Sequence, residues 1–161
     1  AGAALGCAQR TRTAELAFGQ RMSHMTAVFD WHELCPADEV VEQGAAKPFD
    51  VMFAGQRCRA FAIRYQGQVH AYLNRCTHVP MELDWQPNQV FDITGSWLLC
   101  ATHGAHFLPD TGACAGGPCR GGLVKIALSE RDSRVWWQAQ SMLQPVVVSA
   151  AVGVDTKLAE I

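Results

Sequence analysis

The stretch CRAFAIRYQGQVHAYL, residues 58–73, decides the fold class. Phe61, Ile63 and Tyr65 alternate with their neighbours, Gln66-Gly67 interrupts, and Val69, Ala71 and Leu73 resume the alternation. A period of two, broken by a Gly-containing dipeptide, marks two antiparallel strands joined by a tight turn. The same punctuation continues downstream. VFDITGSWLLC (90–100) supplies Val90, Phe91 and Ile93, breaks at Gly95-Ser96, and runs from Trp97 through Leu99 into Cys100. A short strand is expected at His106 to Leu108, before the turn residues PDTG. LVKIAL (123–128) and RVWWQA (134–139), separated by SERDS, read as another hairpin. Helix is scarce: PADEVVEQG (36–44), with Pro first, acids early and Gly last, fits one short helix or turn. The expectation is an all-β chain, a small antiparallel sandwich or barrel.

Length and composition bound what such a chain does. At 161 residues it holds one domain with tails. We place an N-terminal extension at 1–25, the folded domain at 26–140, and a C-terminal extension at 141–161, which either adds an edge strand around Val146 to Val148 or drapes over the sheet. Ser23-His24-Met25 resembles an expression-vector remnant, so the first segment stays outside the fold argument. The formal charge of -2 comes from 13 basic and 15 acidic residues spread along the chain, which offers no basic stripe to nucleic acid. The apolar run PVVVSAAVGV (145–154) is about half of the roughly 20 residues that a membrane-spanning helix needs. No continuous apolar block of the secretory type occurs in AGAALGCAQRTRTAELAFGQ, so a cytoplasmic location is expected. Seven cysteines, an odd number, then point to metal chemistry in a reducing compartment in preference to a disulfide framework.

Two short stretches carry that chemistry. NRCTH (74–78) and CATHG (100–104) each set a cysteine beside a histidine, both between expected strands. One sulfur and one imidazole from each loop make two thiolates and two imidazoles. Zinc would take all four on one ion. A two-iron cluster would divide them, Cys76 and Cys100 on one iron and His78 and His103 on the other, bridged by sulfides. Zinc knuckles usually hold like ligands two to four residues apart, whereas only Thr77 separates the unlike pair Cys76 and His78.

The pattern C-x-H, then 21 residues, then C-x-x-H resembles the Rieske iron-sulfur family. CATHGAHF is similar to the family's second loop, and Gly116-Gly117-Pro118 to the proline-containing loop that covers its cluster. The likeness extends over about residues 29–139; MELDWQPNQ (81–89) has no family counterpart. It implies a small antiparallel domain whose tip, built from two loops, holds one [2Fe-2S] cluster through Cys76, His78, Cys100 and His103. It also implies a one-electron carrier with protein redox partners, such as a flavin reductase and an oxygenase, and no bond chemistry of its own. Two ferric ions, two sulfides, two thiolates and two neutral imidazoles sum formally to about zero, which makes reduction easier than in an all-thiolate cluster. Respiratory members join their two loops by a disulfide and place a serine after the second histidine. The corresponding positions here hold Met81, Thr102 and Ala105. A potential toward the lower end of the family's span of about -150 to +300 mV is therefore expected. The alternatives from other classes are a Rieske-fold regulatory or assembly subunit, and a zinc-binding interaction domain.

The remaining candidates read as structural. Cys114 and Cys119 flank AGGP near the site, where packing as small apolar groups is preferred to a redox-linked disulfide. Cys7, Cys35 and Cys58 carry no motif, and His106, leaving the second loop on a strand, is expected to point away from the ligands. Trp97, Trp136 and Trp137 read as packing residues. Glu82 and Asp84 are candidates for docking a positively charged reductase.

Overall fold

The computed structural model describes residues 30–84 and 86–147. In chain order its strands are β1 (Trp31–Pro36), β2 (Lys47–Phe53), β3 (Gln56–Tyr65), β4 (Gln68–Leu73), β5 (Leu98–Cys100) and β6 (Ala105–Phe107). They continue as β7 (Cys114–Gly116), β8 (Lys125–Ile126), β9 (Leu128–Arg131), β10 (Arg134–Gln138) and β11 (Leu143–Pro145). Three antiparallel sheets result, ordered β1-β10-β9, β11-β2-β3-β4-β8 and β5-β6-β7.

The alternation in residues 58–73 becomes the β3–β4 hairpin, which pairs Tyr65 with Gln68 at its tip. Gln66 and Gly67 both take positive φ, 52° and 74°, as a two-residue turn matched to strand twist requires. The Glu42 carboxylate accepts the amides of Gln66 and Gly67 at 2.6 and 3.0 Å, which satisfies two turn donors from outside the hairpin. β3 is buried on both faces. Phe61 and Ile63 join Tyr72, Leu83, Val90, Leu98 and Phe107 in one core, while Ala60 and Ala62 join Val51, Ala71, Leu73, Ile126 and Trp137 in another. The small residues on the second face leave room for Trp137, so the large sheet lies between the two smaller ones.

Arg64 ties these layers together. Its guanidinium donates to the carbonyls of Val40 (2.8 Å) and Ala37 (3.0 Å) and pairs with Glu130 at 2.9 Å. One planar side chain thus satisfies backbone acceptors on the β1–β2 connection while holding β9, a fork that an ammonium group cannot reproduce.

PADEVVEQG forms the short turn expected there, a single 3-10 turn at Ala37–Glu39, because Val40 is drawn into a small core with Cys35 and Val135 and leaves the helical path. Two expectations are corrected. LVKIAL does not form one strand: β8 pairs with β4 in the large sheet, and the hairpin partner of β10 is β9, which takes in residues read as loop. The hairpin turns at Asp132-Ser133, both with positive φ. The edge strand expected at Val146 to Val148 lies earlier, at Leu143–Pro145, paired with β2; Val148 is outside the described residues.

Candidate metal centre

Strand β4 ends at Leu73 and hands the chain to the first loop. Asn74, the one buried polar residue of the described chain (8% exposed), fixes that loop. Its amide nitrogen donates to Asp84 Oδ1 (2.6 Å) and its amide oxygen accepts the Leu83 N–H (2.8 Å). Asp84 Oδ2 accepts the Asn88 N–H at 2.8 Å. Leu83, fully buried, then anchors the loop's far side in the core. The Cys76 N–H donates to the Met81 carbonyl (2.8 Å), which closes a tight turn around Thr77 to Pro80.

The second loop is the turn between β5 and β6. Cys100 ends β5 and pairs with Ala105, and the Gly104 N–H donates to the Cys100 carbonyl at 2.9 Å. Gly104 has φ +72°, a left-handed conformation that reverses the chain directly after His103. The Ala101 N–H donates to the Leu83 carbonyl (2.9 Å) and stitches this loop to the first.

These supports bring the expected residues together in two pairs. Cys76 and Cys100 are buried, at 4% and 1% exposure, in the core of Leu83, Val90, Leu98 and Phe107. Burial pushes the Cys76 thiol up; the amides of His78 and Val79 pull it down, and the adjacent Cys100 thiol raises it. Amides aimed at a sulfur are the groups that stabilise a thiolate. On the solvent side, the rings of His78 and His103 lie edge to face with centroids 5.0 Å apart. His78 Nδ1 is buried without a hydrogen-bond partner among the described residues, a nitrogen free to take a metal. No three His, Cys, Asp or Glu side chains among those residues converge on a single ion position. Two sulfurs inside and two imidazoles outside fit a two-iron, two-sulfide group as a donor set.

A third loop lies against the second. Cys114 and Cys119 are joined in a disulfide, Cα–Cα 6.0 Å, which corrects the expectation that they pack as separate apolar groups. The bend that β7 and Pro118 impose brings them within bonding range. His106 sits within β6, paired with Gly116 on β7 and Leu99 on β5. Trp137 is core, whereas Trp97 is exposed (37%). Of the two docking candidates, Asp84 is turned inward by Asn74 and Asn88, whereas Glu82 stays exposed, 3.8 Å from Arg59. The Asn74–Asp84 pair and the disulfide are site features that no spacing in the sequence signals.

Residues 30–130 match the family model described as Rieske [2Fe-2S] domain. Among solved structures, the ferredoxin of carbazole 1,9a-dioxygenase from Nocardioides aromaticivorans IC177 superimposes with a TM-score of 0.54 at 21% identity, over 66% of this chain and 95% of that one. A complex of reduced oxygenase and oxidized ferredoxin in carbazole 1,9a-dioxygenase gives 0.53 at 22%, over 67% and 92%. The terminal oxygenase of carbazole 1,9a-dioxygenase from Novosphingobium sp. KA1 gives 0.53 at 23%, over 66% of this chain but 29% of that one. No curated protein matches the chain. These likenesses show the fold, and among the described residues no helix is long and apolar enough to cross a membrane.

Proposed function

Because the chain belongs to the Rieske [2Fe-2S] domain family, we propose that it takes an electron from a reductase and delivers it to an oxygenase, with Cys76, His78, Cys100 and His103 holding the cluster. When bound, the [2Fe-2S] group supplies a one-electron couple. The observation that carries the assignment is the segregation of donors, both thiols in the core and both imidazoles at the surface of the same tip. In this reading the buried sulfurs and the amides of His78 and Val79 keep water from the inner side, while the histidine rings face the partner. Exposed Val79 and Met81 beside His78 give that partner an apolar contact of small area, suited to a transient encounter. The protein performs no bond chemistry of its own.

A low potential within the family and a cytoplasmic location belong to the same proposal. The positions of the respiratory interloop disulfide and serine hold Met81, Thr102 and Ala105, and of the described cysteines Cys35, Cys58, Cys76 and Cys100 are free thiols while Cys114 and Cys119 are bonded to each other. The test is electron paramagnetic resonance of the dithionite-reduced protein with parallel iron and acid-labile sulfide analysis. A low average g, equal iron and sulfide, and reduction by a flavin reductase followed by reoxidation by an oxygenase are expected. A colourless zinc protein refutes the assignment, and a cluster that exchanges no electrons with such partners refutes the carrier role.

A further inference from the structure

Two cysteines outside the proposed ligand set are placed to act on it. The Cys114–Cys119 disulfide closes Ala115-Gly116-Gly117-Pro118 into a small ring. At its crown Gly117 has φ +78°, and a Cβ there would stand 2.4 Å from the Gly104 carbonyl oxygen and 3.0 Å from Ala105 Cα. The ring therefore rests on the backbone that follows His103. β6 holds its other side, since Gly116 pairs with His106 and Cys114 with Phe107. Cys119 packs against the core that contains Cys76 and Cys100. Cys114 is exposed, so an incoming thiolate can reach its sulfur.

We propose that Cys114 and Cys119 form a reversible dithiol–disulfide site, reduced by a protein dithiol, whose state sets how firmly this loop is held over the backbone beside His103. The inference rests on reading that hairpin as the outer half of the metal centre. One thiolate of the dithiol attacks the exposed Cys114 sulfur, the Cys114–Cys119 bond breaks, and Cys119 leaves as a thiolate that takes a proton. The second thiol then displaces Cys114, which leaves as the other thiol. Two electrons and two protons pass to the pair, and the reductant ends as its own disulfide. Reduction strands no sulfur: Cys119 Sγ lies 3.2 Å from the Gly116 carbonyl oxygen and 3.7 Å from that of His106, and Cys114 Sγ lies 3.6 Å from the Cys119 carbonyl oxygen. Each released thiol thus has an acceptor in place. What changes is the tether, and a loop with two successive glycines regains its freedom when the ring opens. In cytosolic proteins, disulfides are usually of this transient or sensing kind.

The experiment equilibrates the full-length holoprotein in dithiothreitol buffers of graded reduced-to-oxidised ratio, then quenches, alkylates and maps the peptides by mass spectrometry. Amide hydrogen exchange over 101–106 is followed in the same samples. Cys114 and Cys119 are expected to gain label together while circular dichroism stays native, and the 101–106 amides to exchange on the order of tenfold faster once the pair is reduced. A Cys114→Ser/Cys119→Ser double variant should show the faster exchange at every poise. Labelling only after unfolding, labelling without a change at 101–106, or a pair that stays reduced at every poise would each overturn the proposal. Neither readout detects iron, so its failure is separable from failure of the cluster assignment, which iron and sulfide analysis decides.

Discussion

Replacing Asn74 by alanine tests whether the first loop is held by the polar network described above. The substitution removes the acceptor of the buried Leu83 N–H and the donor to Asp84. An orphaned buried amide costs about 1–3 kcal/mol, and loss of a bond to a carboxylate about 1.5–3 kcal/mol, the second toward its low end because Asp84 is only partly buried and water can replace the donor. The sum is about 3 kcal/mol, a large part of the roughly 5–15 kcal/mol that holds a domain folded. In a domain of this size it lowers the melting temperature by roughly 10–20 °C. Urea unfolding of the Asn74→Ala variant, followed by tryptophan fluorescence and circular dichroism, measures the loss. Ile93→Ser, at a fully exposed position, is the control and should stay within about 0.5 kcal/mol. A loss below about 1 kcal/mol for Asn74→Ala would show that the network is incidental to the loop and refute the reasoning.

Serine at Cys76 or Cys100, or alanine at His78 or His103, is expected to abolish the visible absorption of the cluster while leaving far-ultraviolet circular dichroism in place; a variant that keeps a normal spectrum removes that residue from the ligand set. His70 on β4 is held below its ordinary value of 6.5 by burial first and by the Lys125 charge next, with Asp110 and Glu42 opposing. The unfolded chain therefore binds the proton more readily, so stability is full above about pH 6.5 and falls as pH drops toward the lower folded value. Urea midpoints at pH 7.5 and 5.5 should show this decline in the parent protein and a smaller one in His70→Gln. Gly117→Ala forces a Cβ against the Gly104 carbonyl from a left-handed backbone and is expected to destabilise by about 2 kcal/mol or more, read as a lower thermal midpoint.

What could be read from the sequence depended on whether the signal was local. Phe61, Ile63 and Tyr65 announce β3 because a period of two is written in neighbouring residues, and Gln66-Gly67 announces the turn because a positive φ favours glycine. The two Cys/His pairs are legible for the same reason, since each lies within one short loop. β9 escaped notice because Ser129, Glu130 and Arg131 have no apolar alternation; they are a strand only because β10 pairs with them. Asp84 reads as a surface charge in isolation, since its meaning comes from Asn74, ten positions away, whose side chain turns toward it only after β4 ends. The bond between Cys114 and Cys119 follows from the bend after β7, which no spacing rule specifies.

Strand β11 has a consequence for how the domain can be cut. By pairing Leu143–Pro145 with Val51–Phe53 it covers outward backbone groups of β2 that would otherwise recruit strands from other molecules. The family span stops at residue 130, inside β9, and so leaves out β10, which sits between β1 and β9, as well as β11. A fragment trimmed to that span would present β1 and β2 as open templates for self-association, whereas one extended through Pro145 keeps β1 paired with β10 and β2 with β11.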